Sequence, residues 1–189
     1  QANRKTDMGT HFLDRLFDPK TIAVFGASKR PESVGSRVFD NLRQAGFSGT
    51  LYAINPKYKR LYHQPCYPSI KAIGKPVDLA VIATPAKTVA EIIHACGEHG
   101  VRAVIIISAG SGVDKSSRAT INKTVLEAAR QYHMRILGPN CLGLIRPVAG
   151  VNASFSKNTA EPGQLALVSQ SGALCTAIVD WARARNVGF

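Results

Sequence analysis

Acidic residues are scarce in this chain: 12 Asp and Glu stand against 24 Lys and Arg, for a net charge of +12. Such an excess suits an anionic partner (a polyphosphate ligand, nucleic acid or an anionic surface) and by itself selects none of them. No basic run exceeds two residues, so an arginine-rich arm is absent. Aromatics are only 7% of the chain, with one Trp, and form no stacking platform for nucleic acid. No apolar run is long enough to cross a bilayer, which argues against a membrane role. No signal-peptide pattern opens the sequence, so a cytoplasmic location is expected. The four cysteines, Cys66, Cys96, Cys141 and Cys175, are far apart and include no CxxC pair. Neither a zinc site nor a disulfide framework is suggested, and buried free thiols in a reducing compartment are expected.

What is present is organised around the stretch from Ile22 to Gly35. Ile22 to Phe25 is an uninterrupted apolar, β-prone run, as in a strand buried on both faces. Gly26, Ala27 and Ser28 make a small-residue turn. Ser33 stands where a helix N-cap stands, and Val34, Val38, Phe39 and Leu42 follow at helical spacing. A strand, a small loop and a helix start present free backbone N–H groups and a positive dipole end to an anion.

Strands then alternate with helices. The helix from Ser33 stops at Ala45-Gly46, and Thr50 to Ile54 reads as a second strand. Leu61 to Ala72 contains Pro65 and Pro68 and reads as connection with a short helical piece. Val77 to Ala83, Arg102 to Ser108 and Met134 to Leu137 read as further strands. Helices are expected from Thr88 to His99 and from Ser116 or Ser117 to about His133. This alternation predicts an α/β fold, a Rossmann-like, doubly wound parallel sheet with helices on both faces. Ligands bind such sheets beyond the carboxyl ends of the strands. Those ends lead into Gly26, Asn55, Thr84, Ser108 and Gly138. Cys141 to Phe155 reads as a hairpin or an extended crossing. Lys157 to Gly163 reads as a linker, Gln164 to Val168 as a new strand, and a helix follows Ser169-Gln170-Ser171-Gly172. Residues 157–189 are therefore expected to be a linker and the opening of a second, incomplete α/β domain. Residues 1–10 are polar and patternless, a linker or an added remnant, and residues 11–156 form the first domain.

The loop after the first strand is not GxGxxG. Where a dinucleotide-binding sheet usually places Asp or Glu at the end of its second strand, this chain has Asn55-Pro56-Lys57. Lys59 and Arg60 follow, and Lys29 and Arg30 lie on the neighbouring loop. Cations there suit a phosphorylated ribose, a group that both NADP and coenzyme A carry.

The ordered motifs resemble a known family. They are Gly26-Ala27-Ser28 with Ser33-Val34-Gly35, Asn55-Pro56-Lys57-Tyr58, Thr84-Pro85-Ala86, Ser108-Ala109-Gly110, Gly138 to Gly143 and Ser169 to Gly172. Together they are similar to the CoA-binding module of the NDP-forming acyl-CoA synthetases, relatives of the succinyl-CoA synthetase α subunit. The same module occurs fused to a GNAT-type domain in bacterial protein lysine acetyltransferases. The resemblance implies coenzyme A or acetyl-CoA as ligand, with ADP or ATP and phosphate used by the parent protein. It implies that Gly26, Ala27, Ser28, Lys29, Arg30, Ser33, Val34 and Gly35 surround the CoA phosphates. Asn55, Pro56, Lys57 and Tyr58 would lie at the phosphate or ribose end. Thr84, Pro85 and Ala86 would lie along the adenine or the pantetheine arm. Ser108, Ala109, Gly110 and Asn140 would face the thiol. Ser169, Ser171 and Gly172 would bind phosphate near a phosphohistidine. The second domain would be flavodoxin-like, and partners would be the remaining domains or a β-type subunit, with a homo-oligomer also open.

Two departures accompany the resemblance. The acid after the Ser-Ala-Gly loop is Asp114 rather than the family's frequent, nearer Glu. No histidine matches the phosphohistidine motif: His11, His63, His94, His99 and His133 read as surface or core-edge residues. No residue of this chain is therefore expected to be catalytic, and Cys141, which has no matched base, reads as structural. Three functions remain open: part of an acyl-CoA synthetase, an acyl-CoA-binding regulatory module of a lysine acetyltransferase, and an NAD(H)-binding regulator. Asn55-Pro56-Lys57 argues against the last.

Overall fold

The computed structural model describes residues 13–108 and 115–189. The helices are α1 (Leu13–Phe17), α2 (Val34–Gln44), α3 (Val89–Glu98), α4 (Lys115–Gln131) and α5 (Gly172–Arg183). The strands are β1 (Thr21–Phe25), β2 (Thr50–Ile54), β3 (Arg60–Leu61), β4 (Gln64–Tyr67), β5 (Leu79–Ile82), β6 (Ala103–Ile106), β7 (Arg135–Leu137), β8 (Gly143–Arg146) and β9 (Val151–Ser154). Seven strands form one sheet in the order β3-β4-β2-β1-β5-β6-β7. All neighbours are parallel except β3, which runs antiparallel to β4 at the edge. The direction of winding reverses between β1 and β5, so the loop after β1 opens at the switch point of the sheet.

The apolar strands are buried on both faces by alternation. On β1, Ile22 and Val24 face one core with Val38, Phe39 and Leu42 of α2 and with Val151 and Ala153 of β9. Ala23 and Phe25 face the other core, with Val89, Ile93 and Cys96 of α3 and Val125 and Ala128 of α4. Each face is thus covered by a separate layer, which explains why the strands read as continuous apolar runs rather than alternating ones. The carboxylate of Asp78 fixes the amino ends of β1 and β5 together. It accepts from the backbone N–H groups of Lys20 and Thr21 at 2.9 and 3.1 Å, while Asp78 N donates to Thr21 Oγ1 at 2.8 Å.

Two segments differ from the sequence reading. Residues 61–72 are more than a connection: they contribute most of the β3–β4 hairpin to the sheet. Pro65 opposes Arg60 of β3 and precedes the register of β4 with β2, which begins at Cys66, so its missing N–H falls outside that parallel ladder. The turn is made by Tyr62 and His63, both at positive φ, without the Gly or Asn that usually marks such a turn. Tyr62 is held against α2. Its ring stacks on Phe39 at 5.9 Å, Arg43 lies 4.4 Å over its centroid, and its hydroxyl donates to Asp40 Oδ2 at 3.1 Å.

Gln164 to Val168 is not a strand in this chain. A strand exists only through pairing, and this segment pairs with no other strand among the described residues; Leu165 and Val168 are exposed, the latter at 97%. Just before it, Gly163 N donates to Phe189 O and Phe189 N donates to Glu161 O, the alternation of a parallel pair. Asn158 in the preceding polar stretch donates to Asp180 Oδ1 and accepts from Arg183, both on α5. Of the two readings of Cys141 to Phe155, a hairpin or an extended crossing, the structure has the hairpin, antiparallel β8–β9, and Asn41 of α2 donates to Ser154 O and Ser156 O beside it.

Candidate functional site

The turn after β1 closes on α2 through two glycines. Gly26 has φ +87°, and a Cβ there would lie 2.7 Å from Ala83 O and 3.2 Å from Thr84 Cγ2. A Cβ on Gly35 would lie 1.9 Å from Gly26 O. Only glycine lets the first turn of α2 come this near to the end of β1. Ser33 caps the helix: its Oγ accepts from Ser36 N at 3.2 Å and donates to Arg30 O at 2.9 Å. The first-turn N–H groups of Val34 and Gly35 have no carbonyl a turn earlier to bond, as at any helix start. The strand end, the glycine pair and the capped helix form the strand, small turn and helix start read from the sequence.

Each neighbouring loop is fastened to this one. Asn55 Nδ2 donates to Ala27 O at 2.8 Å, and Asn55 Oδ1 accepts from Lys57 N at 3.0 Å. Asn55 therefore ties the loop after β2 to the loop after β1. Tyr58 Oη lies 3.4 Å from Ser28 Oγ, which also accepts from Arg30 N at 3.1 Å. Beyond Thr84, which abuts Gly26, the Ser108 hydroxyl donates to Thr84 O at 2.5 Å, and Asn140 N donates to Ser108 O at 3.2 Å. Tyr58, Ser28, Gly26, Thr84, Ser108 and Asn140 thus follow one another along the carboxyl edge of β2, β1, β5, β6 and β7. The side chains of Ser28, Asn55 and Ser108 are engaged within the protein, so they act on the edge by holding its loops. Pro56, Pro85 and Ala86 stand on those same loops. Ala109 and Gly110 lie outside the described residues.

The edge is cationic. Lys29, Arg30, Lys57 and Lys59 are exposed, and none has an ion-pair partner among the described residues. Arg60 differs: its guanidinium donates to His63 O and serves the β3–β4 turn. The Lys29 ammonium lies 5.9 Å from the centroid of the Tyr58 ring. The hydrogen bond with Ser28 holds the Tyr58 phenol below the usual tyrosine range. Burial opposes the shift, and the Lys29 backbone N–H and the charges of Arg30 and Lys57 add to it.

At the far end of the edge, Cys141 donates to Ile106 O and Leu137 O, and burial pushes its thiol up to about 11. Such a thiol is protonated near neutrality and is a poor nucleophile, in line with a structural role. Among the described residues no cluster of His, Cys, Asp and Glu suits a metal ion.

The second predicted anion site, at the start of α5, is a regular cap. Ser171 Oγ accepts from Leu174 N at 3.3 Å, and Ser169 Oγ accepts from Ser171 N at 3.0 Å. Gly172 lies against Leu142 in the loop after β7. This places the helix start next to the Asn140 end of the main edge, a neighbourhood that spacing in the sequence did not reveal. Tyr62 and Asn41, which brace α2 from either side, also escaped sequence reading, because no local pattern marks a residue that acts through a distant turn.

The chain is similar to known proteins. The CoA binding domain family matches residues 20–147, and the succinyl-CoA ligase like flavodoxin domain matches residues 162–189. The chain is 42% identical, over 94% of its length, to an ADP-forming acetate–CoA ligase I of Archaeoglobus fulgidus. It is 39% identical, again over 94%, to the α subunit of ADP-forming acetate–CoA ligase I of Pyrococcus furiosus. It spans 26% of the first and 39% of the second. Among solved structures it is similar to the dinucleotide forming acetyl-coenzyme A synthetase 1 of Ca. Korarchaeum cryptofilum in complex with phosphate and ADP. The TM-score is 0.87 at 38% identity, covering 93% of this chain and 38% of that one. Among the described residues no helix is long and apolar enough to cross a membrane.

Proposed function

This chain belongs to the CoA-binding domain family, and we propose that it is the CoA-binding part of an NDP-forming acyl-CoA synthetase. The parent reaction would interconvert acyl-CoA, phosphate and a nucleoside diphosphate with the free acid, CoA and a nucleoside triphosphate. The observation that carries the reading is the glycine-closed loop from Gly26 to Gly35 beside Lys29, Arg30 and Lys57, which no carboxylate pairs among the described residues. A helix start and free cations at a switch point suit the diphosphate and the 3′-phosphate of CoA.

In this reading residues 11–156 hold CoA or acetyl-CoA, with the adenosine end near Lys57 and Tyr58. The pantetheine arm passes Thr84, Pro85 and Ala86, and the thiol reaches Ser108 and Asn140. Residues 157–189 begin a second domain, whose Ser169, Ser171 and Gly172 face phosphate. The adjacency of Gly172 and Leu142 supports this arrangement, since it brings a helix start close to the thiol end. ADP binding and the transfer of phosphate belong to further domains or a β-type subunit. The two relatives from Archaeoglobus fulgidus and Pyrococcus furiosus are ADP-forming acetate–CoA ligases, which favours the synthetase over the acetyltransferase.

Calorimetry with CoA, 3′-dephospho-CoA, NADP and NAD tests the reading. CoA is expected to bind tightest, and loss of the 3′-phosphate to weaken binding about tenfold or more, as for one charge-assisted contact. Equal affinity for CoA and its dephosphorylated form would remove the cationic edge from the site. A preference for NADP or NAD would exclude the CoA reading.

A further inference from the structure

The residue that joins the cations of the edge is Tyr58. Its backbone N–H donates to Asn55 O at 3.2 Å, so the same turn that carries Lys57 fixes its main chain. Its hydroxyl lies 3.4 Å from Ser28 Oγ, and Ser28 is only 3% exposed. Its ring lies under the Lys29 ammonium at 5.9 Å, within cation–π range. Through Ser28 the hydroxyl is one step from Arg30 N, which Ser28 Oγ accepts at 3.1 Å. One phenol therefore touches both loops and stands among three cations that no carboxylate pairs among the described residues.

We infer that Tyr58 is a positioning residue that turns Lys29, Arg30 and Lys57 onto one phosphate group, and that phosphate binding and ionisation of Tyr58 oppose each other. The inference rests on the CoA reading above. The ring gives Lys29 a surface to lie on. The hydroxyl holds Ser28, and with it the backbone of Arg30. Ligand phosphate and tyrosinate would draw on the same positive charges, so each weakens the other by linkage. The groups that face the phenol are Ser28, Lys29 and Arg30 from the loop after β1 and Lys57 from its own turn. After the hydrogen bond with Ser28, the charges of Arg30 and Lys57 favour the ionised phenol in the free protein. A bound phosphate cancels them and raises the phenol pKa. Affinity is therefore full while the phenol is neutral, and falls as pH rises through the free-protein pKa.

The test compares the parent chain with Tyr58→Phe, using CoA and adenosine 3′,5′-bisphosphate, which lacks the thiol. At neutral pH the variant is expected to bind about fivefold more weakly, the worth of one ordinary hydrogen bond. From about pH 7 to about pH 10 the parent is expected to lose affinity for the bisphosphate more steeply than the variant. A tyrosinate absorbance titration of the parent should show one tyrosine moved to higher pH by the bisphosphate. Parallel pH profiles, or an unmoved tyrosinate titration, would overturn the inference even if the variant binds more weakly. A parent that binds neither ligand would remove the CoA reading itself, and the inference with it.

Discussion

Gly35→Ala is expected to lower the melting temperature by roughly 6–12 °C and to weaken CoA binding about tenfold. The new methyl would lie 1.9 Å from Gly26 O, and its next neighbours are also backbone, Gly26 C and Ala27 N. No flexible side chain can yield, so β1 or α2 must shift, at a cost of about 3 kcal/mol. In the proposed reading the shift falls on the helix start that faces the ligand, so stability and binding drop together. Gln44→Ala, on the exposed last turn of the same helix, serves as the comparison. It is expected to stay within about 0.5 kcal/mol of the parent. Thermal unfolding and calorimetry on the two variants check both halves. A Gly35→Ala protein as stable as the parent would mean that the loop and helix do not need this close approach.

Removing Lys29, Arg30 and Lys57 together as alanines is expected to cost about 100-fold in CoA affinity at low salt. All three are exposed and lie outside every described ion pair, so the fold loses little when they go. The unfolding midpoint should therefore stay close to that of the parent, which separates this variant from Gly35→Ala. Exposed charges are screened by salt, and so the parent should lose affinity as salt rises. The triple variant should lose much less, and the two should converge. Calorimetry across a salt series reads both slopes. A variant with the parent's salt dependence would place the ligand phosphates elsewhere.

Much of this was legible in the sequence because the parallel sheet is buried on both faces. Val77 to Ala83 and Arg102 to Ser108 announce themselves as apolar runs, and Ser33 and Gly46 bracket α2 as a cap and a stop. The loops that follow the strands were legible for the same reason, since small and polar residues interrupt those runs. The β3–β4 hairpin was not legible. Its strands are very short, one contains Pro65, and its turn is formed by Tyr62 and His63, whose positive φ depends on packing against α2. Gln164 to Val168 has a composition that suits a strand, but composition supplies no partner, and the segment is unpaired among the described residues. The roles of Asn55 and Ser108 were only half visible. Their positions at strand ends were plain, whereas the bonds that tie loop to loop, to Ala27 O and to Thr84 O, arise only once the sheet is assembled. Local spacing reports what a segment prefers, and cross-loop contacts are a property of the closed edge.

Diffraction from crystals of this chain grown with saturating CoA tests the central claim most directly. The account predicts the diphosphate over the turn between Gly26 and Gly35, the 3′-phosphate within reach of Lys57, and the thiol towards Asn140. Density for the diphosphate at any other part of the surface, or a bare edge with CoA bound elsewhere, would contradict it.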